Sequence, residues 1–350
     1  MAPVAAALDR RGLRLRLILT GQHPLDARDQ FSAYERISLD CRGDEPLALA
    51  HRVSQAVAPF LSERPELMIV QGDTASAYGG ALAAFDADVP VAHVEAGLRT
   101  FDPKSPWPEE EFRTAIDARA DLLFAPTDLS AANLEAEGVA GQVFITGNTG
   151  IDALMGVLEQ VSPPSRVAEA GLGLLVTCHR RESWGEGLCS IAAALAELAV
   201  RHPLSITLIL HPNPAVAETM RGLLSGRPGI RMLDPLTHAR MIEAMLAADI
   251  ILSDSGGMQE EAPAIGVPML VLRDKTERPE GVASGNMLLV GTDRRRIVAA
   301  VERLLDPAVR AAMSRRALPY GDGYAAERIA GHIADFLSER ASAGAELRRA

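Results

Sequence analysis

The sequence predicts an α/β fold made of two Rossmann-like domains facing a central cleft. Three observations carry that expectation. Short apolar runs alternate with helical segments along the 350 residues, as in parallel sheets with crossover helices. The alternation restarts after VSPPSR at 161–166, whose adjacent prolines and missing apolar period mark a linker. Turn-rich segments bearing carboxylates and cations follow predicted strand ends, the edge at which such sheets take ligands. The expected N-terminal domain is 1–163, with a helix at about 323–341 packing back onto it, and the C-terminal domain is 164–322.

Residues 2–11 read as a short helix and, after Gly12, Leu13–Thr20 as a strand. A doubly wound fold opens on a strand and a glycine turn, so this start predicts a sheet lacking its first strand. A helix over 44–62 precedes the strand Leu67–Gln71 and the turn Gly72–Asp73–Thr74, and a helix over 75–85 leads to the strand Val89–His93. With strands at 13–20 and 121–125, these are expected to share one parallel sheet. Asp73 then lies two residues past one strand end and Glu95 two past the next, so two carboxylates meet at one edge. FDADVP at 85–90 falls at the opposite edge and reads as a solvated turn. Residues 93–113, HVEAGLRTFDPKSPWPEEEFR, form a long connection before a helix starting near Pro108, and loops of that length are usually functional. Glu109 sits just inside that helix, where a carboxylate also suits the helix dipole. Val143–Ile145 is a further strand.

In the second half Gly173–Thr177 is a strand, and Cys178-His179-Arg180-Arg181-Glu182-Ser183 follows its end. Three potential cations there suit a departing diphosphate. The strand Ser205–Leu210 ends on His211, and helices and strands alternate onward to Ile250–Leu252. Ser253 to Gly257 then make a small-residue turn, and Met258 to Ile265 wind as a helix that Pro263 keeps short or bent. Ser255, Gly256 and Gly257 bring backbone N–H groups and the positive helix end to one spot, a phosphate site. Glu260 and Glu261 follow, one of them placed to reach past a phosphate to sugar hydroxyls. After the strand Met269–Leu272, the charged loop Arg273–Glu280 carries Arg278, whose planar fork matches a diphosphate.

Composition narrows the partners. Hydrophobic residues make up 48%, enough for a packed core in each half. A net charge of −11 argues against nucleic acid, which needs a concentrated basic surface. Cys41, Cys178 and Cys189 form no CxxC pair, so neither disulfides nor a metal site is expected, and a cytoplasmic setting fits. No apolar run approaches the roughly 20 residues that span a membrane.

The segment 254–281, DSGGMQEEAPAIGVPMLVLRDKTERPEG, resembles the nucleotide-binding signature of the non-hydrolysing UDP-N-acetylglucosamine 2-epimerases. VEAGLR…SPWPEE, ITGNT followed by IDAL, HRRES at 179–183 and PYGDGYAAERI at 319–329 match that family in order, and GQH at 21–23 in part. Cys178 replaces a usual glycine. Family members begin with a strand and a GTRPEAIK-type loop before a helix starting MAP, and here that Met is residue 1.

The resemblance implies a GT-B type architecture with UDP on the C-terminal domain, a homodimer, and no cofactor, since no hydride leaves. It implies epimerisation of UDP-GlcNAc to UDP-ManNAc by elimination of UDP to 2-acetamidoglucal and re-addition. Asp73, Glu95 and Glu109 would handle proton and oxocarbenium charge, the C2 proton being barely acidic until the C1–O bond loosens. His179 and Arg180 would steady the diphosphate, Ser255, Gly256 and Gly257 bind it, Glu261 hold the ribose, and His211 and Arg278 contact substrate. A hydrolysing epimerase, a GT-B glycosyltransferase and an inactive sugar-nucleotide-binding protein are the alternative readings.

Overall fold

Helix starts follow local capping chemistry. Thr74, Thr127, Ser255 and Asp293 each accept a first-turn N–H that would otherwise lack a partner. The computed structural model describes residues 1–22, 31–43, 45–104, 106–161, 171–178 and 184–347. The expected boundary at 163/164, and with it His179 and Arg180, lies outside the described residues.

The chain forms two compact units, Met1–Ala153 with Tyr320–Ala350, and Leu154–Pro319. The first contains α1 (Ala2–Arg10), β1 (Arg16–Leu19), β2 (Glu35–Ser38), α2 (Pro46–Leu61), β3 (Met68–Gln71) and α3 (Ala75–Asp86). There follow β4 (Val91–Val94), α4 (Glu109–Asp117), β5 (Leu122–Ala125), α5 (Asp128–Glu137), β6 (Gln142–Ile145) and α6 (Thr149–Leu158), the last running across the division. Strands β3, β4, β5 and β6 pair in parallel in that order. Alternation along them divides the core. Val91, Leu123 and Ala125 face α2 and α3, whereas Ala92, Val94, Leu122 and Phe124 face α1 and the chain's last helix. Each wholly buried Leu or Phe contributes about 1.5–3 kcal/mol. Gly79 lets α3 lie against α2, since a Cβ there would sit 2.4 Å from the Ala50 carbonyl oxygen.

One expectation about this sheet is corrected. The strand expected at 13–20 does not join the others: β1 pairs in parallel with β2, a separate two-stranded ladder. The competing partner went unseen because ERIS at 35–38 is only four residues long and mostly exposed, leaving almost no period to read. Correspondingly β3 is mostly half-buried, whereas β4 and β5 are buried throughout.

The second unit comprises β7 (Leu172–Thr177), α7 (Glu186–Arg201), β8 (Leu204–Ile209), α8 (Pro214–Leu224), β9 (Ile230–Leu233) and α9 (His238–Ala247). It continues with β10 (Ile250–Ser253), α10 (Gly256–Ile265), β11 (Met269–Val271), α11 (Pro279–Ala283), β12 (Met287–Leu289), α12 (Arg294–Leu305) and α13 (Pro307–Met313). All six strands are parallel, in the order β9-β8-β7-β10-β11-β12. Chain direction across the sheet reverses between β7 and β10, which makes their C-terminal ends the ligand crevice of a doubly wound sheet. Beyond this unit α14 (Ala325–Leu347) returns to the first and packs Ile329 and Ile333 with Val4 and Leu8 of α1. The chain is thus α/β, with two Rossmann-like units of the GT-B type.

Candidate active site

At the C-terminal edge of the first unit's sheet, β3 ends in the turn Gly72–Asp73 and β4 in Glu95. Gly72 has φ +67°, and a Cβ there would lie 3.5 Å from Glu95 Oε2, so the Glu95 carboxylate lies beside the Asp73 turn. Glu95 is itself left-handed, at φ +70°. Asp73 is ion-paired to the buried Arg113 of α4. Glu109 stands one helical turn before Arg113, on the same face of α4, with its Oε2 buried. The structure therefore sets the Glu95 carboxylate beside the turn that carries Asp73, and the Arg113 pair ties Asp73 to the α4 face that also bears Glu109.

Behind these carboxylates lies a charged layer that sequence reasoning missed. His93, wholly buried, places Nδ1 2.6 Å from Asp117 Oδ1 and Nε2 2.9 Å from the Gly72 carbonyl oxygen. Asp117 Oδ2 also accepts from the Gly97 N–H at 3.1 Å and pairs with Arg99 at 2.8 Å. Arg99 in turn grips Glu137 through Nε at 2.7 Å and Nη2 at 2.6 Å. Glu110, next to Glu109, accepts from the N–H groups of Thr100 and Phe101 at 2.9 Å and so folds the connection back onto α4. Gly97 is required there, because with φ +82° a Cβ would fall 2.2 Å from the Ser130 carbonyl oxygen. The signal in sequence was thin: Arg113 and Asp117 lie four and eight residues after Glu109, a helical period visible only once the helix is granted.

In the second unit, Thr177 and Ser253 hydroxyls meet at 2.5 Å across the β7–β10 switch point. Ser255 caps α10, and Gly256 and Gly257 open it. The two glycines differ in role. A Cβ at Gly256 would lie 2.9 Å from Arg278 Nη1, so this glycine admits the guanidinium against the helix start, whereas at Gly257 nothing lies within 4 Å. Arg278 is buried, donates from Nε to Glu260 Oε1 at 2.6 Å and pairs with Glu277. Glu277 also pairs with Arg273 at 2.8 Å. The adjacent acids thus separate: Glu260 neutralises Arg278, while Glu261 Oε1 lies 2.8 Å from His238 Nε2 at the start of α9. That hydrogen bond raises the His238 pKa against the opposing effect of burial.

His211, two residues past β8, accepts the Asn213 N–H at Nδ1 over 2.9 Å, which leaves the neutral ring's proton on Nε2. Burial lowers its pKa and Asp254 opposes that, so the neutral donor form is favoured. The Trp184 ring meets it edge-on at 6.0 Å. Cys178 is buried in the core, and burial pushes its thiol well up, which favours the neutral thiol. Nothing blocks Gly257→Ala within the protein, so the variant is expected to be as stable as wild type or about 1 kcal/mol more stable. If a diphosphate binds this turn, as the sequence resemblance implies, calorimetric titration with UDP should nevertheless show weaker binding, because the methyl group would occupy the approach to the helix N–H groups; unchanged affinity would overturn that expectation.

The family described as UDP-N-acetylglucosamine 2-epimerase matches residues 6–334. A UDP-N-acetylglucosamine 2-epimerase of Yersinia pestis is 42% identical over 94% of this chain and 93% of its own. That of Escherichia coli K12 is 45% identical over 79% of this chain and 78% of its own. The crystal structure of UDP-GlcNAc 2-epimerase from Neisseria meningitidis bound to UDP-GlcNAc superposes with a TM-score of 0.89 at 34% identity, covering 96% of each chain.

Proposed function

Since the chain belongs to the UDP-N-acetylglucosamine 2-epimerase family and is an enzyme of that activity, we propose that it interconverts UDP-GlcNAc and UDP-ManNAc reversibly and without net hydrolysis. The C1–O bond to UDP breaks as a carboxylate removes the C2 proton, leaving 2-acetamidoglucal. A proton then enters C2 from the other face as UDP re-adds at C1. Redox balance is unchanged, so the step calls for no electron carrier.

The observation that carries this reading is the placement of Asp73 and Glu95 after neighbouring strand ends, the Glu95 carboxylate beside Gly72, with Glu109 on the α4 face whose Arg113 pairs with Asp73. With its carboxylate committed to Arg113, Asp73 suits the electrostatic role toward oxocarbenium charge. Glu95 and Glu109 then exchange the proton. The second unit serves as the UDP domain. Ser255, Gly256 and Gly257 present N–H groups to the diphosphate, Arg278 adds positive potential behind them, the His211 Nε2–H donates from beyond the end of β8, two strands away in the same sheet, and Glu261 accepts from the ribose hydroxyls. His179 and Arg180 follow β7 in sequence and complete the diphosphate set. Domain boundary near 163, homodimeric assembly and a cytoplasmic setting belong to the same reading. Among the described residues no helix is long and apolar enough to cross a membrane.

Incubation with UDP-GlcNAc in D2O, followed by proton NMR, tests the reaction. UDP-ManNAc carrying deuterium at C2 is the expected product. Free ManNAc with UDP would assign a hydrolysing epimerase, and binding without turnover would assign a sugar-nucleotide-binding protein.

A further inference from the structure

His93 occupies a position that strand alternation would give to an apolar residue, on the same face of β4 as buried Val91. Each of its ring nitrogens faces an acceptor. A carbonyl oxygen has no proton to give, so Nε2 donates to Gly72. Asp117 accepts from Gly97 and Arg99 through its other oxygen, contacts that favour the carboxylate over the acid, so its Oδ1 accepts from Nδ1. Both ring nitrogens therefore carry hydrogen.

These bonds end on the two loops that bear the carboxylates. Gly72 immediately precedes Asp73, and Gly97, held through Asp117, follows Glu95 by two residues. Glu95 is left-handed, a conformation a side chain with a Cβ keeps only where its surroundings over-determine it. We propose that His93 stands as an imidazolium whose two N–H donors hold the Asp73 and Glu95 loops in register, a positioning residue for the proton exchange at C2. The positioning role rests on the reaction assigned to those carboxylates above; the charge state does not.

The charged surroundings agree. Asp117, Arg113 and Glu110 come from α4, Asp73 from the turn after β3, Glu95 and Arg99 from the connection after β4, and Glu137 from α5. Burial pulls the His93 pKa down, but Asp117, the Gly72 carbonyl and Asp73 together raise it above its ordinary value. With the folded value above the unfolded one, the stability this ring contributes is complete below about pH 6.5 and is lost as pH rises through the raised value.

Long-range proton–nitrogen NMR of the enzyme labelled with ¹⁵N-histidine, recorded between about pH 6 and 8, tests the charge state. One histidine, absent from the spectrum of His93→Gln, is expected to keep two protonated ring nitrogens throughout. An unprotonated nitrogen at neutral pH would overturn the proposal. If His93→Gln does not fold, slow exchange of both ring protons with solvent identifies the buried ring in wild type. Where it folds, its kcat should fall about 10²-fold, since a glutamine amide donates to one acceptor and turns its oxygen toward the other. KM for UDP-GlcNAc should stay within about threefold, because the proposed nucleotide contacts lie in the other unit. An unchanged kcat, or a loss confined to KM, refutes the positioning role. Wild type that leaves the C2 proton unexchanged sinks the reaction reading and the positioning role together, while the spectrum still decides the imidazolium.

Discussion

Glu95→Gln is expected to lower kcat by about 10²–10⁴-fold, the range typical of losing a positioned proton-transfer group. The amide keeps the size and hydrogen-bonding reach of the carboxylate but cannot take a proton from C2. The half-buried Glu95 is a cleaner probe than Asp73, whose replacement would also remove one of the counter-charges of the buried Arg113, leaving Glu110. UDP affinity should not move, because the Ser255–Gly257 turn and Arg278 belong to the other unit. The decisive readout is deuterium entry at C2 in single-turnover experiments beside calorimetric binding of UDP. Wild-type exchange in the variant would take Glu95 out of the chemistry.

Arg278→Met is expected to cost about 3–5 kcal/mol of stability, as when one partner of a buried ion pair is removed. Glu277 keeps Arg273, but Glu260, only 4% exposed, loses the guanidinium at 2.6 Å. At about 2–4 °C per kcal/mol for a unit of this size, Tm should drop by roughly 6–20 °C. Adding Glu260→Gln should recover part of the loss, because the second substitution removes the buried charge that Arg278 had balanced. A single variant that melts with wild type, or a double variant less stable than the single, would contradict the pairing. The same substitution should weaken UDP binding by removing positive potential behind α10.

Several site features were legible in the chain itself. Asp73 and Glu95 could be placed at one sheet edge because strand, turn and carboxylate follow one another within a few residues. The α10 turn was legible for the same reason: a buried strand, small residues and an N-cap serine are local signals. The division of labour at that turn was not. Gly256 and Gly257 look alike in sequence, yet only the first faces Arg278, and that contact spans 22 positions. Likewise Glu260 and Glu261 read as one acidic pair, but neighbouring helix positions point about 100° apart, so one meets Arg278 and the other His238. Pro263 limits α10 less severely than its ring chemistry suggests, since it falls near the helix end and Gly266 closes the last turn at φ +73°.

By itself, then, the sequence determined the α/β class, the two units, most strand positions and the carboxylates at the first sheet edge, because these follow from apolar period, turn chemistry and residues near in the chain. Long-range contacts settled that β1 pairs with β2 rather than β3, that Arg113 engages Asp73, and that His93, Asp117 and Arg99 form a buried charged layer. Those outcomes depend on contacts between residues tens of positions apart, and a buried charge is stable only where its partner arrives from another element.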